Sequence, residues 1–318
     1  MDIRVAVIGC GRMGRQRARA ALGLGAQLIA VCDPDVARAR EVAALGSDSQ
    51  ALADWRDLSL ASTDAVFVCT PPNERGPIEV QAIEAGVAVF VEKPIGRSAE
   101  QGAAILDALR RKPVLTAVGY MNRYRPSVQA AREALRRGTV LGLSANWAGG
   151  RYGVPWWDRE DLSGGPVNEQ ATHLVDLARY LVGDVREVHA MTAGPPGAHG
   201  APETAAVSLR FDRDVLGTVL YTCQARQKAI DLHVFTEEAR VSLEGWDFRL
   251  RGPDGRLFPE GEQDRNEIFD VEVAAFFDAM RKDSAAPILV DFADAQRTQR
   301  TVDAIRRSLG SGRIERVD

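Results

Sequence analysis

Lysine is scarce in this chain. Of 40 basic residues only four are lysines (Lys93, Lys112, Lys228 and Lys282), and positive charge is otherwise carried by arginine. Histidine and cysteine are as few, at four each. None of Cys10, Cys32, Cys69 and Cys223 forms a Cys-x-x-Cys pair and no histidine lies four residues from another, so neither a disulfide framework nor a zinc or other metal cluster is expected. Three of the cysteines sit in or beside apolar strand runs, which reads as small buried hydrophobes in a reducing, cytoplasmic compartment. No run of about 18 uninterrupted apolar residues occurs, so no transmembrane helix is expected. Met1-Asp2-Ile3-Arg4-Val5 runs straight into a strand and leaves no room for a signal peptide. A net charge of −4, with acidic residues interleaved among the arginines, offers no footprint for nucleic acid or an anionic membrane. There is no internal repeat. What remains is a globular chain of 318 residues, 45% apolar and 26% charged, long enough for one large or two ordinary domains.

The first third alternates strands and helices. Ile3 to Ile8 is a short apolar strand, followed by Gly9-Cys10-Gly11-Arg12-Met13-Gly14 and a helix over Arg15 to Leu24. This is G-x-G-x-x-G in the strand–turn–helix setting the motif requires. Gly9 permits the tight turn, Gly11 lets backbone approach a pyrophosphate, and Gly14 allows close helix–strand packing. The helix N-terminus offers free N–H groups to the phosphates. A second strand, Gln27 to Cys32, ends in Asp33, placed to accept hydrogen bonds from both ribose hydroxyls of an adenosine. A 2′-phosphate would meet repulsion there, so NAD is expected over NADP, with Arg38 able to moderate the preference. Asp33 can also be read as the N-cap of a helix from Val36.

Further strands follow at Asp64 to Cys69, Ala88 to Val91 and Pro113 to Tyr120, with a helix opened by Pro77 and closed by Gly86, and another capped by Ser98 with Gln101. The pattern implies a doubly wound parallel sheet over residues 1–120. Ligands of such sheets bind beyond the strand C-termini, where Gly11, Asp33, Thr70 and Lys93 all fall. The expected cofactor-binding set is these four with Gly9, Arg12, Met13, Gly14, Pro71, Asn73 and Glu92.

Residues 121–318 read as an α+β domain built on a large, mostly antiparallel sheet. Its strands are hairpin-linked runs at 141–147, 205–211, 215–223, 231–236, 239–243 and 247–251, and its helices lie near 126–137, 167–181, 269–280 and 292–309. A sheet with helices on one face leaves the other free for a subunit interface, so a homodimer or homotetramer through this sheet is expected.

Two features carry chemistry. Lys93 ends an apolar strand in Ala88-Val89-Phe90-Val91-Glu92-Lys93-Pro94. In a chain that otherwise uses arginine, a lysine there is chosen for an ammonium that can exchange a proton, although a strand-end lysine pointing into water fits the same residues. Glu169, His173 and Asp176 have i, i+4, i+7 spacing, so they share a helix face on which a carboxylate can orient an imidazole. The same spacing also describes a surface Glu–His pair with a solvated Asp. Asn122, Arg123, Tyr152 and Asp176 are candidate hydrogen-bonding partners for a hydroxyl-rich ligand, and Trp156 and Trp157 form either an aromatic wall for a sugar ring or core packing.

Taken together, Gly9-x-Gly11-x-x-Gly14, Glu92-Lys93-Pro94, Gly119-Tyr120-Met121-Asn122-Arg123-Tyr124 and Gly164-Gly165 leading to His173-x-x-Asp176 resemble the Gfo/Idh/MocA oxidoreductases over essentially the whole chain. The resemblance implies an N-terminal Rossmann domain, Lys93 beside the nicotinamide and touching the reacting oxygen, His173 as proton acceptor, and a cis peptide before Pro94. It places at Glu169 a carboxylate, usually Asp, that contacts a substrate hydroxyl, which makes Glu169 the third catalytic candidate with Lys93 and His173. Arg75 stands where the family usually has His near the cofactor. The implied activity is NAD-dependent hydride transfer at a secondary hydroxyl or ketone of a cyclic polyol, sugar or sugar derivative. A non-catalytic NAD- and sugar-binding sensor, or a reductase of an imine or tetrapyrrole, are the competing readings. The retained Lys93 and His173 favour an enzyme, and the polar helix face argues against a large apolar ligand.

Overall fold

The computed structural model describes residues 3–136, 138–194, 197–252, 254–260, 264 and 266–318. They form two compact units, one made of the chain up to Gly96, Glu100–Met121 and Asn266–Ala295, the other of Arg97–Ala99, the stretch from Asn122 to the loop before Asn266, and Gln296–Asp318.

The first unit is a six-stranded parallel sheet. Its strands are β1 (Arg4–Ile8), β2 (Gln27–Cys32), β3 (Gln50–Leu52), β4 (Ala65–Val68), β5 (Ala88–Val91) and β6 (Thr116–Val118), ordered β3-β2-β1-β4-β5-β6. β4 and β5 each read Ala-Val-Phe-Val and are buried at every position, as strands covered on both faces must be. Strand order reverses between β1 and β4, which puts the C-terminal ends of those strands at a topological switch point.

Residues 266–295 belong to this unit, although a division after residue 120 assigns them to the second. The reason is aromatic packing. Phe67 of β4 and Phe90 of β5 stack at 5.1 Å, and Phe276 meets them edge-on at 5.9 and 5.7 Å from the helix Glu267–Lys282. The expected cap by Ser98 and Gln101 does not form. That helix begins later, at Ala103–Arg111, and the Gln101 amide instead donates to the carbonyls of Pro72, Asn73 and Arg75.

The second unit holds a nine-stranded sheet of β7 (Val140–Ala148), β8 (Val185–Thr192), β9 (Thr204–Phe211), β10 (Leu216–Thr222), β11 (Ala229–Thr236), β12 (Arg240–Glu244), β13 (Arg249–Arg251), β14 (Leu257–Phe258) and β15 (Glu315–Arg316). Their order is β14-β13-β12-β11-β7-β10-β9-β8-β15, antiparallel throughout except where β7 runs parallel to β10. Alternate residues of β7 to β12 build a core with Val128, Leu174, Leu177 and Val302 from the covering helices. The opposite face exposes Met191, Leu216, Leu220 and Phe235. β8 carried no clear period-2 signal, because Arg186, Glu187 and His189 interrupt it.

Candidate functional site

In the first unit β1 leads through Gly9 into the helix Arg12–Gly23. Gly9 sits at φ +91°, and a Cβ there would lie 2.7 Å from the Cys69 carbonyl, so no other residue fits. A Cβ on Gly14 would lie 1.8 Å from the Gly9 carbonyl oxygen, which fixes helix against turn. Gly11 is different. A Cβ there would meet nothing within 4 Å, so its backbone borders open space. No side chain caps the helix and no acidic residue lies in its first turn, which carries Arg12 and Met13. An uncapped, positively polarised helix end facing open space suits a pyrophosphate.

Asp33, at the end of β2, is buried, and its carboxylate accepts the backbone N–H groups of Cys10 and Asp35, each at 2.9 Å. The same carboxylate therefore ties the glycine turn to the strand end and retains lone pairs for ribose hydroxyls. The N-cap of the next helix is Asp35, not Asp33. Arg38 stands 3.6 Å from Asp33. Thr70, past the end of β4, has a buried hydroxyl without a hydrogen-bond partner, beside Pro71 and the exposed Asn73–Glu74 side-chain pair. These features fit NAD.

Lys93 follows β5 and is half-buried, and its peptide bond to Pro94 is cis. Glu92, expected among the cofactor contacts, turns inward instead. It accepts a 2.6 Å bond from Arg17 Nε, and the fully buried Arg17 also meets Glu272 at 2.6 Å and lies 4.4 Å over the Phe90 ring. Arg75 is buried as well, donating to the carbonyls of Val68 and Thr70, so it secures the β4 end with donors that a histidine lacks. Burial pushes the Cys10 thiol up to about 12, and Cys69 further, so neither is a nucleophile near neutrality.

In the second unit the segment expected as one helix from Val167 is two. Val167–Ala171 is a π-helical turn and Thr172–Val182 is α-helical. Such turns widen a helix locally and recur at functional sites. Glu169 and His173 are both buried, 5% and 7% exposed, which rules out a surface pair. The His173 ring stacks on Trp147 of β7, centroids 5.7 Å apart and planes 8° from parallel.

Asp176 and Arg123, expected as substrate contacts, satisfy each other. Arg123 donates to both Asp176 oxygens at 2.9 and 2.6 Å, and Thr298 donates a further 3.1 Å bond to the same carboxylate. Asn122 is buried and accepts from Arg125 at 2.8 Å. Trp157, at 2% exposure, belongs to the core, whereas Trp156 is partly buried and Tyr152 is exposed at 36% with its ring edge-on to Trp157.

Comparison with known proteins matches this geometry to one family. Residues 3–120 match an oxidoreductase family described as an NAD-binding Rossmann fold, and residues 128–242 match the C-terminal domain of the same Gfo/Idh/MocA group. The chain belongs to the Gfo/Idh/MocA oxidoreductase family. It is 29% identical over 269 residues to scyllo-inositol 2-dehydrogenase (NAD(+)) of Bacillus subtilis, covering 81% of this chain and 73% of that one. Levoglucosan dehydrogenase of Pseudarthrobacter phenanthrenivorans is 26% identical over 297 residues, 76% of each chain. A solved structure of levoglucosan dehydrogenase in complex with NADH and L-sorbose superposes with a TM-score of 0.89 at 22% identity, covering 100% of both chains.

In this Gfo/Idh/MocA oxidoreductase four further residues, two in each unit, hold buried contacts that the sequence did not reveal. Arg17 looks no different from Arg15 and Arg19 on the same helix, and Glu272 lies in a part of the chain that seemed foreign to the first unit. Trp147 reads as a core strand residue. Glu203 reads as loop, yet it is buried and accepts bonds from Arg151 at 2.6 Å and Gln224 at 2.7 Å, joining three loops.

Proposed function

We propose that this oxidoreductase is an NAD-dependent dehydrogenase of a secondary hydroxyl on a ring polyol or sugar. The observation that carries the reading is that one unit holds a dinucleotide-shaped glycine turn closed by Asp33, and the other buries His173 four residues after a buried Glu169. The named activities of the relatives support the substrate class. NAD supplies the hydride acceptor that oxidation of a carbinol requires. Gly9, Gly11, Gly14, Asp33 and Thr70 hold it, with Arg12, Met13, Pro71 and Asn73 around them. His173 accepts the hydroxyl proton, and an imidazole is the side chain suited to that exchange near neutrality. Lys93 stabilises the negative charge that develops on the oxygen. Glu169 accepts a hydrogen bond from a neighbouring ring hydroxyl, and Tyr152, Trp156 and Asn122 add polar and aromatic contacts.

We propose further that copies of the chain pair through the open face of the nine-stranded sheet, a reading supported by its exposed Met191, Leu216, Leu220 and Phe235, and that the enzyme works in the cytoplasm, a reading supported by its four free cysteines. Nicotinamide absorbance during turnover of scyllo-inositol, myo-inositol and levoglucosan, with NAD and NADP in parallel, tests the activity. Lys93→Met is expected to lose at least about 100-fold in kcat, as removal of an oxyanion donor does, while NADH still quenches tryptophan fluorescence with wild-type affinity. Wild-type turnover in that variant would sink the assignment.

A further inference from the structure

We infer that Trp147 is a positioning residue that fixes the ring plane of His173. The inference rests on the reading of His173 as the proton acceptor. His173 is the second residue of the α-helix that follows the π-helical turn, so helical backbone fixes its Cα but leaves its ring torsion to the surroundings. Trp147 supplies one face of those surroundings. It is 1% exposed, its indole lies 8° from parallel to the imidazole at 5.7 Å, and that offset stack is a favoured geometry for aromatic pairs.

The indole is itself clamped. Trp246 meets it edge-on at 5.7 Å and 73°, and the Lys228 ammonium in turn lies 4.2 Å over the Trp246 ring. On the strand side the position after next is Gly149, where a Cβ would stand 3.3 Å from Trp147 Nε1. That nitrogen is buried with no hydrogen-bond partner. Burying an unpaired N–H is unfavourable, and a phenyl ring would fill the layer without it. Retaining indole here favours the breadth of its face over the saving, and His173 is what that face covers.

A ring held in one plane presents its nitrogen to a hydroxyl in one direction, and small misplacements of catalytic groups cost rate steeply. Loss of the stack should therefore lower kcat and leave binding intact.

The experiment compares Trp147→Leu, Trp147→Phe and His173→Asn in the full chain. Labelling histidine with 13C at Cε1 gives only four ring signals, and the one missing in His173→Asn identifies His173. The stack predicts an upfield ring-current shift of that proton in the wild type, kept in part by Trp147→Phe and abolished by Trp147→Leu. With the fastest of scyllo-inositol, myo-inositol and levoglucosan, kcat of Trp147→Leu should fall on the order of 10- to 100-fold. KM and NADH affinity should stay within about threefold, and Trp147→Phe should recover most of the rate. An unmoved His173 signal in Trp147→Leu, wild-type kcat there, or equal losses in Phe and Leu would each overturn the inference. Full turnover in His173→Asn would instead overturn the proton-transfer reading itself, so the two failures are distinguishable.

Discussion

Arg123 and Asp176 are almost fully buried, and Arg123 donates to both oxygens of the Asp176 carboxylate. A charge in that position is tolerable only while its partner stays. Asp176→Asn is therefore expected to destabilise the second unit by about 3–5 kcal/mol in urea unfolding. The double replacement by Leu and Met should recover much of that loss, whereas a residue kept for substrate contact alone would leave the unfolding midpoint in place. The lesson for reading a sequence lies in the same pair. Spacing puts Glu169, His173 and Asp176 on one helix face, but Arg123 is 53 positions away, and nothing local says that it will occupy the carboxylate. Lys93 and His173 stood out because rare residue types stand at strand and helix positions where their chemistry is usable, and the structure leaves Lys93 half-buried and His173 buried. Glu92 was legible as a motif member and misread as to partner, since its partner is one arginine among many.

Among the elements, the turn after β6 shows how little room the first unit leaves. A Cβ on Gly119 would stand 2.8 Å from Glu92 Oε2 and 3.1 Å from Arg17 Nη2, both held by buried ion pairs and unable to swing into solvent. Gly119→Ala should lower stability by about 1–3 kcal/mol and lower kcat through displacement of the Glu92–Lys93 turn, read by thermal melts and turnover of one preparation. The loops of the second unit respond to acid instead. Hydrogen bonding from Arg151 holds the Glu203 carboxyl below its ordinary value of 4.5. A depressed folded-state value means stability that is fully present above the ordinary value and is lost as pH falls through the folded one. Glu203→Gln should therefore melt lower than wild type at pH 7, and the gap should close on acidification below about pH 4. A gap that stays constant between pH 7 and pH 3 would show that the ion pair contributes nothing. Most of the longer strands were legible because alternation is local, whereas β8 and the start of the helix at Ala103 were not. The π-helical turn was not either, because its hydrogen bonds span one residue more than those of an α-helix over only five residues, too short a stretch to show in the apolar pattern.

Over the whole molecule, the division into two units does not follow the order of the chain. The sheet of β1 to β6 is recognisable from its first 120 residues, and the antiparallel sheet from its hairpins. What a linear reading cannot see is that Asn266–Ala295 returns to the first unit, because Phe67 and Phe90 are buried whatever covers them. A fragment ending at Met121 would lack Phe276, Phe277 and Glu272, leaving an uncovered apolar surface and Arg17 with one carboxylate. That fragment is expected to show no cooperative melting and no NADH binding, and a version with residues 266–295 joined through a flexible linker should regain both. Cooperative unfolding of the short fragment would mean that the returning helix is an accessory.

That return sets an order of events during synthesis. A ribosome delivers the glycine turn, Asp33 and Lys93 early, yet the helix that covers their sheet emerges only after nearly all of the second unit. The nascent dinucleotide fold lacks that cover until residues 266–295 have been made, so a message stopped before them would yield a product without a finished cofactor domain.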